Sequence, residues 1–170
     1  MQQIVKTTRT VLLCLMMAIM TACYSFSGAS VPPHLRTVAV PLFGDRSQAG
    51  IAQFRETLTR SLIDRITVQG SLTVEPDIGR ADAVLDASIV SFSDEPSQLG
   101  STSERAVTNR VTIVVMATYE DRVKNDRMFS QSFVGFADYP VGHYEAQQAA
   151  IRTAIDQVAD DLFNKMISDW

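Results

Sequence analysis

Two stretches of this chain repeat apolar residues every three or four positions, the spacing that gathers them on one side of an α-helix. In residues 51–69 they are Ile51, Phe54, Leu58, Leu62 and Ile66, with Gly70 placed to end the helix. In residues 145–170 they are Ile151, Ile155, Val158, Leu162 and Met166, and Glu145 sits in the first turn, where a carboxylate meets the positive end of the helix dipole. Elsewhere the period is two. Residues 82–93 place Ala83, Leu85, Ala87 and Ile89 on one side and Asp86 and Ser88 on the other. Residues 105–119 place Val107, Val111, Ile113, Val115, Ala117 and Tyr119 opposite Arg110, Thr112 and Thr118. A charged turn, residues 120–126, leads into a returning strand over 127–137, so these two strands form an antiparallel hairpin.

The shorter elements are less regular. Residues 37–43 (Thr-Val-Ala-Val-Pro-Leu-Phe) are β-rich, and Pro41 lacks one ladder donor, which suits an edge or a bulge. Residues 72–74 read as a short strand, residues 94–104 as a polar loop with Pro96 and Gly100, and Ser47 as a possible helix N-cap. The order β-α-β-β-β-β-α predicts an α+β fold. Two amphipathic helices would lie on one face of a largely antiparallel, four- to five-stranded sheet, a two-layer sandwich. The far face, with Thr112, Val114, Met116 and Thr118, is then either solvated or covered by a partner.

Charge separates the first residues from the rest. Residues 1–22 hold two basic groups, Lys6 and Arg9, and no acidic one; the remainder has 13 basic against 19 acidic residues, net −6. Such a body lacks the basic footprint that a nucleic-acid binder needs. After the charged start come ten unbroken apolar residues, 11–20, roughly 15 Å as a helix and about half a bilayer core. Met20-Thr21-Ala22-Cys23 then places small residues just before a cysteine. This layout resembles a bacterial lipoprotein signal, in which Cys23 is acylated and residues 1–22 are removed. Cys14 would leave with the signal, so the mature chain has no second thiol for a disulfide. Tyr24 is not the aspartate that retains enterobacterial lipoproteins in the inner membrane, which points to the outer membrane. Residues 23–36, with Pro32-Pro33, read as a lipidated start and short tether, and residues 37–170 as one domain.

Catalytic chemistry is not expected. No HExxH, GxSxG, GxGxxG, Walker A or CxxC pattern occurs. The two histidines, His34 and His143, read as a tether residue and a helix-start residue, and neither a metal nor a cofactor is expected. The adjacent carboxylates Asp94-Glu95 and Asp160-Asp161 read as a solvated turn and as helix neighbours pointing apart.

The residues after the signal are more specific. Cys23-Tyr24-Ser25-Phe26-Ser27-Gly28 is followed by Val31-Pro32-Pro33-His34-Leu35-Arg36-Thr37-Val38-Ala39-Val40-Pro41-Leu42-Phe43. With Ala81-Asp82-Ala83-Val84-Leu85, the strand over 110–119 and an acidic C-terminal helix ending in Trp170, this resembles the LptE family of lipopolysaccharide-assembly lipoproteins. The resemblance implies a non-enzymatic protein lipid-anchored in the outer membrane and facing the periplasm. It implies a place in the lumen of the β-barrel LptD, which the protein helps assemble and plugs, and a part in lipopolysaccharide transport. Arg122, Lys124 and Arg127 form the compact cationic group at a loop tip that could meet lipopolysaccharide phosphates, or simply keep a charged turn soluble. An alternative class is a periplasmic lipoprotein that regulates an envelope enzyme such as a peptidoglycan synthase. Those proteins reach across the periplasm on long linkers, whereas here Cys23 lies 14 residues before Thr37, at most about 50 Å.

Overall fold

Three long antiparallel strands, β4 (Ala83–Leu99), β5 (Ala106–Asp121) and β6 (Asp126–Pro140), form the body of the sheet. The computed structural model describes residues 31–49, 52–70, 72–99 and 106–168. Residues 1–22, expected to be a signal, Cys23 and Ile51 therefore lie outside the described residues. Two helices, α1 (Ala52–Gln69) and α2 (Tyr144–Ile167), pack on one face, close to the ranges read from periodicity. The sheet is completed by β1 (Thr37–Ala39), β2 (Gly44–Asp45) and β3 (Thr73–Val74), in the order β3-β1-β4-β5-β6, with β2 also on β4. The architecture is thus two helices on a mixed open sheet.

Alternation decides which side chains meet the helices. Val111, Ile113, Val115, Ala117 and Tyr119 of β5 are fully buried, together with Leu58, Leu62 and Ile66 of α1 and Ile155, Val158, Leu162 and Met166 of α2. Val107, expected in that phase, is exposed. Helix α2 approaches the sheet most closely over β6: a Cβ on Gly135 would lie 2.0 Å from the carbonyl oxygen of Ala154. Only glycine lets the helix backbone sit there. The helices are also clamped laterally, since Arg65 of α1 pairs with Asp160 and Asp156 of α2 and Ser61 donates to Asp156 at 2.8 Å. Asp160 is thereby a structural ion-pair partner.

Four expectations change. Residues 94–99 are strand, not loop: β4 runs on through Pro96 to Leu99 because it stays paired with β5. A bulge at Val90, between the pairs Ile89–Val115 and Ser91–Val114, reverses the phase, so Phe92 turns to the helices and packs on Phe54 at 5.1 Å. Of the β-rich run over 37–43 only β1 is strand, and β2 follows just beyond it; both are parallel to β4, with Pro41 in the break between them. β1 is also flanked by β3, so it is not an edge. Ser47 bonds to Asp45 at 2.6 Å in a turn, well before α1 begins, and caps no helix. Finally, β6 continues through Tyr139 to Pro140 before the chain turns into α2.

Candidate functional site

The hairpin turn between β5 and β6 carries the three cations singled out above. Arg122 and Lys124 lie in the turn and Arg127 in the first residues of β6, all exposed, with Asn125 in the left-handed region (φ 55°). Arg122 and Arg127 line an open cleft of about 280 Å³ with Glu120, Asp121, Asn125 and Asp126. The structure brings Arg122 and Arg127 to one cleft without Lys124, but carboxylates share it, and Glu120 pairs with Arg127 at 3.6 Å.

Beneath the turn lies a feature with no signal in local sequence. Asp121, only 3% exposed, accepts hydrogen bonds from the Val123 and Lys124 amides on one oxygen, each at 2.9 Å. Its other oxygen meets Nε2 of His34, 87 residues away in sequence, at 2.5 Å. Burial pushes this carboxyl up, yet the hydrogen bonds from His34 and the two amides outweigh it, so Asp121 is held below the ordinary aspartate value. Asp82 does similar work beside it. Its carboxylate accepts from the Arg36 and Thr37 amides, both at 2.9 Å, and those bonds hold it below its ordinary value. The Arg122 amide donates to the Asp82 carbonyl at 2.8 Å. The end of the tether, the β3–β4 connection and the β5–β6 turn are therefore knitted together. Burial and the nearby Asp121 charge push the Tyr119 phenol far above its usual range. An Asx turn at Asp121 could have been read from Asp-Arg-Val-Lys, but the partner His34 could not.

At the opposite end of the sheet, Asp94 is no solvated turn residue. Facing the helix side after the Val90 bulge, it accepts from the Tyr139 hydroxyl at 2.6 Å, from Gln147 at 2.7 Å and from Asn109 at 3.2 Å. It thus ties β4, β5, β6 and α2 together. His143 stands at the N-cap of α2, as a helix-start residue should, without a side-chain cap bond.

The sheet face away from the helices has Val114 half-buried and Met116, Val134 and Phe136 exposed. The Arg110 guanidinium lies 4.8 Å from the Phe136 ring centre and pairs with both oxygens of Asp138, at 2.7 and 2.9 Å. Among the described residues no group of three or more His, Cys, Asp or Glu side chains could hold a metal ion, and no helix is long and apolar enough to cross a membrane.

The carboxylates in these clusters hold backbone and neighbouring side chains, and nothing in the described chain points to catalysis. The fold is an α+β module of two helices on a mixed open sheet. A family model, LptE, lipopolysaccharide-assembly, matches residues 35–166, and the chain belongs to that family. No curated protein sequence matches. Among solved structures, a Xanthomonas campestris protein of the DUF330 family is similar with TM-score 0.57 at 15% identity, covering 82% of this chain and 90% of that one. Uncharacterized lipoprotein B of Nitrosomonas europaea gives 0.58 at 13%, covering 82% and 85%. A PelC dodecamer subunit from Paraburkholderia phytofirmans gives 0.52 at 9%, covering 84% and 96%. At these identities the likeness carries the fold alone.

Proposed function

We propose that the protein is an outer-membrane lipoprotein, acylated at Cys23 after removal of residues 1–22, whose domain over 37–170 associates with the barrel LptD. There it assists assembly, plugs the lumen and takes part in moving lipopolysaccharide to the outer membrane. The match of residues 35–166 to the LptE family carries this reading. The sheet face bearing Val114, Met116, Val134 and Phe136 supports it, because an apolar strip between polar rows gains from being covered. Arg122, Lys124 and Arg127 are the cations assigned to lipid phosphates, where partly dehydrated charge-assisted bonds are strong.

Co-purification from detergent-solubilised outer membrane tests the reading. A large β-barrel partner is expected; recovery of a peptidoglycan synthase instead would move the protein to the regulator class. Cys23→Ser should yield an unprocessed or soluble species without acyl mass, and mass spectrometry finding an unmodified Cys23 in the wild-type membrane form contradicts the anchor. Replacing Arg122, Lys124 and Arg127 together by Ser should weaken lipopolysaccharide binding at low salt, with a smaller loss at high salt. Unchanged binding at low ionic strength would place the lipopolysaccharide contact elsewhere.

A further inference from the structure

We propose that the end of the sheet bearing the β5–β6 turn rests on the phospholipid headgroup layer of the leaflet that holds the protein's own acyl chains. Val123 and Ile78 would be its apolar tips, with Arg122 and Lys124 meeting phospholipid phosphates rather than those of lipopolysaccharide. The proposal depends on the reading of Cys23 as the acylated residue.

The path of the chain supplies the first argument. β1 and β4 start at this end and β5 finishes there, since Val38 pairs with Ala83 and Ala83 with Asp121. The chain reaches it through His34, latched to Asp121, and through Arg36 and Thr37, latched to Asp82. Val31 already packs against the core. Cys23 precedes Val31 by eight residues, at most about 29 Å of fully extended chain. The described chain therefore enters the sheet at the end bearing the turn, and eight residues bound the distance from Val31 to Cys23.

Surface chemistry supplies the second. Val123 is 56% exposed between Arg122 and Lys124, and Ile78 is 47% exposed two residues before Arg80. The Arg122 amide bond to Asp82 joins the two loops. Apolar tips among basic side chains match a lipid interface, where the apolar atoms enter the acyl boundary and the cations stay with the phosphates. Asp121 keeps its charge beneath the turn, Glu120 pairs with Arg127 at 3.6 Å and Glu75 with Arg80 at 3.9 Å, so Arg122 and Lys124 are the cations left to meet phosphates. Among the described residues no carboxylate forms an ion pair with Arg122 or Lys124. The opposite end has the reverse character. Over residues 93–99, 106–110 and 138–147 the only Lys or Arg among the described residues is Arg110, held by Asp138, alongside Asp94, Glu95 and Glu145. The far end is thus the more acidic of the two, and the cations without a carboxylate ion pair among the described residues, Arg122 and Lys124, lie at the end through which the described chain enters the sheet.

The test uses the acylated full-length protein in phosphatidylethanolamine–phosphatidylglycerol vesicles. Ile78→Cys, Val123→Cys and Gln98→Cys variants each carry an environment-sensitive fluorophore; acylation blocks Cys23. Blue-shifted emission and quenching by spin-labelled lipids are expected at positions 78 and 123 but not at 98. His34→Gln, which loosens the latch, and Arg122→Ser/Lys124→Ser should each reduce the quenching at 123 while acylation and vesicle flotation persist. Position 123 behaving like position 98 in floating, acylated protein overturns the proposal and leaves the lipoprotein reading intact. Contact appearing only when lipopolysaccharide is added to the vesicles overturns it in favour of a lipopolysaccharide site. Absence of acyl mass and flotation removes the lipoprotein reading beneath it.

Discussion

The two faces of β5 come from alternate residues of one strand, yet they have opposite fates. Val111, Ile113, Val115, Ala117 and Tyr119 are sealed under α1 and α2, whereas Thr112, Val114, Met116 and Thr118 stay partly or largely open. The helix-facing side is apolar and closely packed because two amphipathic stripes cover it. The far side keeps Thr118 hydrogen-bonded to Ser130 at 3.0 Å and Arg110 stacked on Phe136, so polar groups dilute its apolar strip. The difference puts the packed core on one side of the sheet and leaves the other side partly open to solvent.

The sharpest break between the faces should come from core truncation. Leu162→Ala and Leu62→Ala should each cost about 2–5 kcal/mol in urea unfolding, through lost burial and a residual cavity. A loss below about 0.5 kcal/mol would put those residues on the wrong side. Next comes Gly135→Ala, whose new methyl would run into the Ala154 carbonyl and force α2 away from β6. We expect a cost of about 1–3 kcal/mol. Ser132→Ala, on the same strand but facing outward, serves as the control that should unfold like wild type.

Acid separates the faces in another way. Asp121 on the helix side and Asp138 on the far side are both held below the ordinary aspartate value, the first against the pull of burial by His34 and the turn amides, the second mainly by its bond to Arg110. A depressed folded value means that the contribution is complete above the unfolded value of about 3.9 and is lost as pH falls through the folded value. Urea midpoints should therefore fall below about pH 4. The share removed by Asp121→Asn should persist in high salt, whereas any share from exposed Asp138 should be screened away. Equal salt sensitivity would mean that Asp121 is no better shielded than Asp138. The smallest stability effect belongs to Met116→Ser and Val134→Ser, within about 0.5 kcal/mol of wild type. If the proposed barrel association holds, these variants should lower recovery of the barrel; full recovery would show that this face is not where it docks.

Of the candidate site, only the cationic residues themselves could be seen in advance. Arg122, Lys124 and Arg127 stand close in the chain, and their convergence followed once a hairpin was recognised. The latch beneath them was hidden, because His34 and Asp121 meet only when β1 and β5 flank β4 at the same end. Asp94 was hidden for a related reason. Its direction depends on the bulge at Val90, an extra residue that interrupts an otherwise simple alternation and makes the polar stretch after it look like loop.

Local periodicity by itself determined the two helices, their buried stripes and the β5–β6 hairpin, since each amphipathic pattern has one side that water disfavours and chain neighbours can arrange. The N-terminal residues carry the expectation of a lipoprotein signal and lie outside the described residues. Tertiary structure decided the parallel placement of β1 and β2 on β4, the extension of β4 through Pro96, the approach of α2 over Gly135 and the pairing of His34 with Asp121. Each of these depends on a partner far away in the chain, and the energy of pairing a strand edge or satisfying a buried carboxylate exists only after that partner has arrived.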